Sequence, residues 1–362
     1  MTVQTLYLRS ENPLLSGVLA RLTADGWFYW AVLFYTIMGF AFLIAVGDAG
    51  GASHASYVLP AIKGFLLMMP LAALSFDVIR VIVRFDQRRR LAFRRTFSAG
   101  RLAALGSGMM MMAGIAVFQG TFTSIKTSLP LIFGGFPYDR LQADIDAWLH
   151  FGADPWRTLH AVAGNDAVRL IAEINYGEVW FTVCFGALFF VATSPAADAV
   201  RKRYLIMFMI VWIVVGNLLA GTFLSAGPAF YGNVTGDHAR FAGLLAFLAQ
   251  SPLDASVMLS QRYLWLLHEN NIQGLGGGIS AFPSVHVALV TMNALFVIER
   301  SRPWGIAAFA YVGFVLFSSV YLGWHYAIDG YVSIAVVTAA HFGLRRFMTG
   351  FRPAVPAYSS GR

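Results

Sequence analysis

Charge is scarce in this chain: only 12% of its 362 residues are Asp, Glu, Lys or Arg, whereas 58% are hydrophobic. Soluble domains carry about 25% charged residues, so an ordinary water-soluble fold is excluded and a polytopic membrane protein is expected. Cysteine is almost absent. The single Cys184 excludes an internal disulfide and a cysteine-based zinc site, and its apolar surroundings mark it as a packing residue. The opening MTVQTLYLRSENPLLSG lacks the short apolar core and small-residue cleavage site of a signal peptide, so no leader is expected to be removed. No internal repeat or low-complexity linker interrupts residues 1–362, which read as one integral membrane domain. The net charge of +8 is not a nucleic-acid signature, because the basic residues sit in short loops between apolar runs. No nucleic-acid partner is expected.

Aromatic side chains, by contrast, are abundant. The 31 Phe, 14 Tyr and 9 Trp suit a lipid-facing surface with aromatic belts at its edges. Crossing the hydrocarbon takes about 20 apolar residues. Such runs fall at about 27–47, 58–82, 102–122, 176–194, 204–225, 284–298, 305–323 and 326–344. The expected fold class is therefore all-α, a polytopic membrane helical bundle of about eight transmembrane helices. Loop charge sets its orientation. The eight arginines from Arg80 to Arg101 lie between spans two and three. Placing that loop in the cytoplasm also places there Arg9 and Arg21, Arg201–Lys202–Arg203, Arg300 and Arg302, and Arg345, Arg346, Arg352 and Arg362. Both termini are then cytoplasmic, as the positive-inside rule requires. Two long segments, about 123–175 and 226–283, remain on the outer face. Their stretches ADIDAWLHF and FAGLLAFLAQ suit short helices in the membrane interface.

Candidate chemistry lies at two outer helix starts. GLGGGISAFPSVHVALV, residues 274–290, brings His286 to the start of span six. SSVYLGWHYAIDGYVS, residues 318–333, brings His325 to the junction of spans seven and eight. Asp329 follows it at i+4, on the same helical face. A carboxylate there accepts a hydrogen bond from one imidazole nitrogen and leaves the other as a nucleophile. A second imidazole at the same depth supplies the general acid that a poor alkoxide leaving group needs. The glycine run ends in Pro283 and Ser284 at a helix start, where free N–H groups and the helix dipole attract an anion. Two imidazoles and one carboxylate do not make a magnesium site, so neither metal nor cofactor is expected.

Residues 283–286 read Pro-Ser-Val-His, and residues 318–329 read Ser-Ser-Val-Tyr-Leu-Gly-Trp-His-Tyr-Ala-Ile-Asp. As an ordered pair they resemble the P-S-G-H and S-R-x5-H-x3-D motifs of the type-2 phosphatidic acid phosphatase superfamily, over roughly residues 200–345. The resemblance implies a six-helix phosphatase-like core and a lipid phosphate ester as substrate. It makes His325 the nucleophile that forms a phosphohistidine, Asp329 its orienting partner, His286 the acid for the leaving group and Ser284 a phosphate ligand. Two positions depart from the pattern. Val285 replaces a glycine, and Ser319 stands where an arginine clamps phosphate. Losing a bidentate guanidinium weakens phosphate binding unless another cation substitutes. The family's first motif, a lysine followed by Arg-Pro, has its nearest stand-in at Lys126 with Pro130, and Arg140, Arg240 and Arg262 are further outer-face cations. The looser pattern is similar to the inositol phosphorylceramide synthase branch, with G-x-x-P-S-x-H and H-Y-x-x-D, although Gly278 sits further from the proline. That branch implies transfer of a headgroup between lipids, sphingolipids included. The acceptor is then a lipid or polyol alcohol, and water where the enzyme hydrolyses.

Blander readings hold elsewhere. His150, His160, His238 and His268 read as structural or solvated, and Asp77 as the partner of Arg80 one turn on. GNLLAGTFLSAGPAFYG, residues 216–232, suits close helix packing. Two rival functions differ in class. A transporter would show a repeat around a mid-membrane site, and the missing arginine motivates an inactive homologue.

Overall fold

A computed structural model describes residues 12–251 and 256–350. Arg9, Arg352 and Arg362, counted above with the cytoplasmic basic residues, lie outside the described residues. Within them the chain forms helices and no strand. A short α1 (Pro13–Ala24) opens the fold, started by Pro13 and by an Asn12 side chain that accepts the Leu14 N–H. Then come α2 (Gly26–Ala45), α3 (His54–Arg84) and the 30-residue α4 (Ala99–Ser128). Two short helices follow, α5 (Asp139–Leu149) and α6 (Pro155–Ala163). The chain re-enters the bundle as α7 (Asp166–Thr193) and α8 (Pro195–Thr222). A second outer segment carries α9 (Ala242–Leu248) and α10 (Val257–Glu269). The last three helices are α11 (Val285–Arg300), α12 (Arg302–Tyr321) and α13 (Ala327–Gly350).

Among the described residues, seven helices are long and apolar enough to cross a membrane, so the chain is an all-α polytopic bundle. The eighth expected span is α11. Its 16 residues reach about 24 Å at 1.5 Å per residue, short of the ~30 Å hydrocarbon core. Burial explains the apolar run: Val287 through Leu295 are all buried, so α11 is a central core helix. Around it α4, α7 and α8 bury 61, 50 and 56% of their apolar windows, whereas α2 and α3 bury only 28 and 11%. The inner six helices are therefore α4, α7, α8, α11, α12 and α13, with α2 and α3 outside them. Gly216 of α8 permits close packing here, since a Cβ on it would meet Phe122 at 2.6 Å and Val285 at 3.0 Å.

Three spans contain wide π-helical turns: Ile62–Met68 in α3, Asn175–Val179 in α7 and Val211–Leu219 in α8. The first follows Pro60, which has no N–H to donate within α3. Such turns displace side chains from the regular helical register, and all three bring residues to the cavity described below.

The basic residues gather at one end of the bundle. Arg21 pairs with Asp198, Arg201 with Asp25, and Arg203, Arg345 and His341 with Glu299. Asp77 pairs with Arg101 at 3.2 Å, not with Arg80, because α4 packs beside α3 and carries Arg101 to it. Glu299 ends α11 and His341 lies late in α13, whereas His286 and His325 sit at or just before the starts of these helices. The two histidines therefore occupy the end opposite the basic cluster.

Candidate active site

Two chain reversals build the site. Ser284 caps α11, its hydroxyl accepting the Val287 N–H at 3.4 Å, and this sets His286 in the first turn. Between α12 and α13 the chain turns at Gly323, whose φ of +73° favours glycine. The Trp324 and His325 N–H groups both donate to the Ser319 carbonyl, at 3.0 and 3.2 Å. The turns are fastened together: Ser284 N–H donates to the Asp329 carbonyl at 3.2 Å, and the Ser333 hydroxyl lies 2.8 Å from both the Ser284 and Asp329 carbonyls.

His325 Nδ1 lies 3.1 Å from Asp329 Oδ2, which also accepts the Tyr326 N–H at 3.0 Å. Asp329 is fully buried. That bond places the proton on Nδ1 and leaves Nε2 with its lone pair. The two imidazole centroids are 6.4 Å apart. His286 stacks on Tyr176 at 4.3 Å and against Trp180 at 3.9 Å, and Trp180 Nε1–H donates to the His286 carbonyl. Its ring is thus held in one plane. Burial, with the Lys126 charge second, pushes the His325 imidazole down to about 3, so it is neutral at pH 7.

Both rings face a cavity of about 740 Å3. Its upper wall is polar and aromatic, with Lys126, Tyr176, Trp180 and Trp324. Deeper it is apolar: Phe65 of α3 stacks on Phe185 and Phe181 of α7 at 5.6 and 6.4 Å. Lys126 is the only lysine or arginine among the described residues of the lining. Gly278 brings the glycine loop against it. Its φ is +83°, and a Cβ would lie 2.8 Å from the Thr127 nitrogen and 2.9 Å from the Lys126 carbonyl carbon.

Residues 142–343, more than half the chain, match the family model of the PAP2 superfamily. The chain belongs to that superfamily. No curated protein matches it, and no solved structure does.

Within this PAP2 superfamily member the remaining sequence candidates fall outside the cavity lining. Ser284 serves as the cap of α11, and the buried Ser319 hydroxyl donates to the Leu316 carbonyl of its own helix. Arg140 is exposed and donates to the Thr235 carbonyl. Arg240 is spent on Asp144 and Asp154, and so clamps α5 to the second outer segment. Arg262 is exposed on α10. Of the cations named from the sequence, Lys126 alone meets the two histidines.

Sequence reasoning missed the two carboxylates behind the site. Asp139 and Asp146 lie seven residues apart on the buried face of α5. Asp139 accepts the Ala226 and Gly227 N–H groups at 2.7 and 2.8 Å and the Tyr326 hydroxyl at 2.8 Å. Asp146 accepts the Ala327 and Ile328 N–H groups at 3.0 and 3.1 Å, which satisfies the open first turn of α13. Burial raises both carboxyls, Asp139 to about 6, against the lowering effect of these bonds. Residues 326–328 are thus pinned between His325 and Asp329. Asp146→Ala strands two buried donors at roughly 1–3 kcal/mol each, so the unfolding free energy is expected to fall by about 2–6 kcal/mol in detergent. Asp146→Asn keeps one good acceptor and should lose about half as much. An unchanged unfolding midpoint in the alanine variant would remove Asp146 from this role.

Proposed function

We propose that this protein cleaves or transfers a lipid phosphate ester through a covalent phosphohistidine on His325. Superfamily membership supports a phosphatase-type lipid phosphoesterase. The finer reading is carried by one observation: a half-buried and a buried imidazole, 6.4 Å apart, share a cavity with a lysine that has no ion-pair partner among the described residues. In this scheme Lys126 and the N–H groups at the start of α11 hold the phosphoryl oxygens. His325 Nε2 attacks phosphorus, the bond to the ester oxygen breaks, and His286 passes a proton to that oxygen as the alcohol leaves. Water or a second alcohol then attacks phosphorus with loss of a proton to His286, the P–N bond breaks, and His325 is regenerated. The acceptor alone separates hydrolysis from transfer. Charge compensation comes from Lys126 and the imidazoles, so no metal takes part.

The basic end of the bundle suits the cytoplasmic face under the positive-inside rule. The cavity then opens on the periplasmic, extracellular or lumenal side. The apolar wall built by Phe65, Phe181 and Phe185 suits acyl chains.

The test uses purified protein in detergent with a chelator and a lipid labelled at phosphorus. Rapid quenching should trap label in an acid-labile, base-stable bond, and turnover should match that without chelator. Absence of such an adduct during turnover, or loss of turnover on chelation, removes the scheme. Repeating the assay with and without a lipid or polyol alcohol separates free phosphate from a transferred headgroup.

A further inference from the structure

Glu178 stands apart from the other charged groups of the cavity wall. The second carboxylate in the lining, Glu173, is committed: it accepts the Ser251 hydroxyl at 2.6 Å and the Val257 N–H at 3.4 Å. Glu178 has no side-chain hydrogen bond or ion pair among the described residues, and it is exposed while lining the cavity. It lies in the wide turn Asn175–Val179 of α7. Its neighbours on α7, Tyr176 and Trp180, pack on His286, so its carboxylate borders the same cavity as the catalytic candidates. The surroundings leave room for a ligand. A Cβ on Gly177 beside it, or on Gly64 of α3 in the same cavity wall, would meet nothing within 4 Å. Tyr176, Trp180 and Trp324 line the same cavity.

The cavity wall therefore carries two opposite charges, Lys126 beside the imidazoles and Glu178 on α7. We propose that Glu178 receives an ammonium group on the substrate's headgroup, so that the protein selects zwitterionic lipid phosphodiesters over lipids ending in a bare phosphate monoester. The inference rests on the lipid phosphoesterase reading above. A phosphate dianion beside Lys126 alone leaves Glu178 uncompensated and meets its repulsion. A headgroup with phosphate at one end and ammonium at the other satisfies both charges.

Short-chain phosphatidylethanolamine and phosphatidate with identical acyl chains test this in detergent, with wild type, Glu178→Gln and Glu178→Lys. Binding is read from the fluorescence of the cavity tryptophans, and turnover is measured separately. Wild type should bind the ethanolamine lipid about tenfold more tightly than phosphatidate, as expected for one charged hydrogen bond. Glu178→Gln should bring that ratio near one, and Glu178→Lys should invert it. Equal ratios in wild type and Glu178→Gln overturn the proposal. Binding that discriminates without turnover of either lipid retracts the phosphoesterase reading alone. Turnover with an unaltered ratio retracts the Glu178 assignment alone.

Discussion

Replacing His325 with alanine should lower lipid phosphate turnover by about four to six orders of magnitude, the range seen when a covalent nucleophile is removed. The prediction follows from position and charge state. His325 is 7% exposed, borders the cavity and is held by Asp329 through Nδ1, which leaves the Nε2 lone pair for the proposed attack. Its depressed pKa keeps that lone pair available at neutral pH. No neighbour can substitute. His286 is fixed between Tyr176 and Trp180, and its carbonyl is tied to Trp180. Binding should survive, because Lys126 and the cavity walls are untouched, so the effect should fall on kcat more than on KM. Free imidazole should restore part of the rate by occupying the vacated space. A His325→Ala protein with more than about 1% of wild-type turnover would remove the covalent role of this residue.

How much of this was legible beforehand can be followed residue by residue. The apolar runs marked the seven long helices because lipid demands uninterrupted hydrophobicity. The H-Y-x-x-D spacing marked His325 and Asp329, since i and i+4 meet on a helix. Two distortions entered where hydropathy meets tertiary context. α11 is short, at 16 residues, and buried from Val287 to Leu295, yet it runs from His286 at one end of the bundle to Glu299 in the basic cluster at the other. α7 begins at Asp166, ten residues before the expected start, because its first turns alternate polar and apolar residues and fall below a hydropathy threshold. That earlier start makes Tyr176, Glu178 and Trp180 part of one helix wall beside His286.

The outer segments were legible as short helices but not in their use. In ADIDAWLHF the apolar Ile145 and Trp148 are exposed, while Asp146 is 2% exposed. The burial of α5 is thus inverted relative to a soluble helix, because its inner face grips backbone N–H groups. The available signal was the pair Asp139 and Asp146, seven residues apart and so on one face. Arg140, Arg240 and Arg262 were equivalent in sequence; only the fold spends Arg240 on Asp154 and turns the other two away from the cavity.

Asp329→Asn isolates the charge behind the nucleophile, with a loss in kcat expected near three to four orders of magnitude by analogy with a buried aspartate behind a catalytic histidine. Oδ2 serves two donors at once, His325 Nδ1–H and the Tyr326 N–H. An asparagine oxygen placed there keeps both bonds but puts an amide NH2 at the Oδ1 position, which is buried and has no partner among the described residues. The reverse flip sets NH2 against the Tyr326 N–H, a donor facing a donor, and turns the His325 tautomer around. In either orientation the proposed mechanism loses the negative charge that steadies its phosphoimidazolium. Substrate affinity should stay within a fewfold of wild type, because Asp329 does not border the cavity. That split distinguishes a catalytic loss from a collapsed site, in which binding and the unfolding midpoint would fall together. If Asp329→Asn costs less than about tenfold in kcat, the histidine needs no carboxylate behind it, and the nucleophile must be sought elsewhere in the cavity.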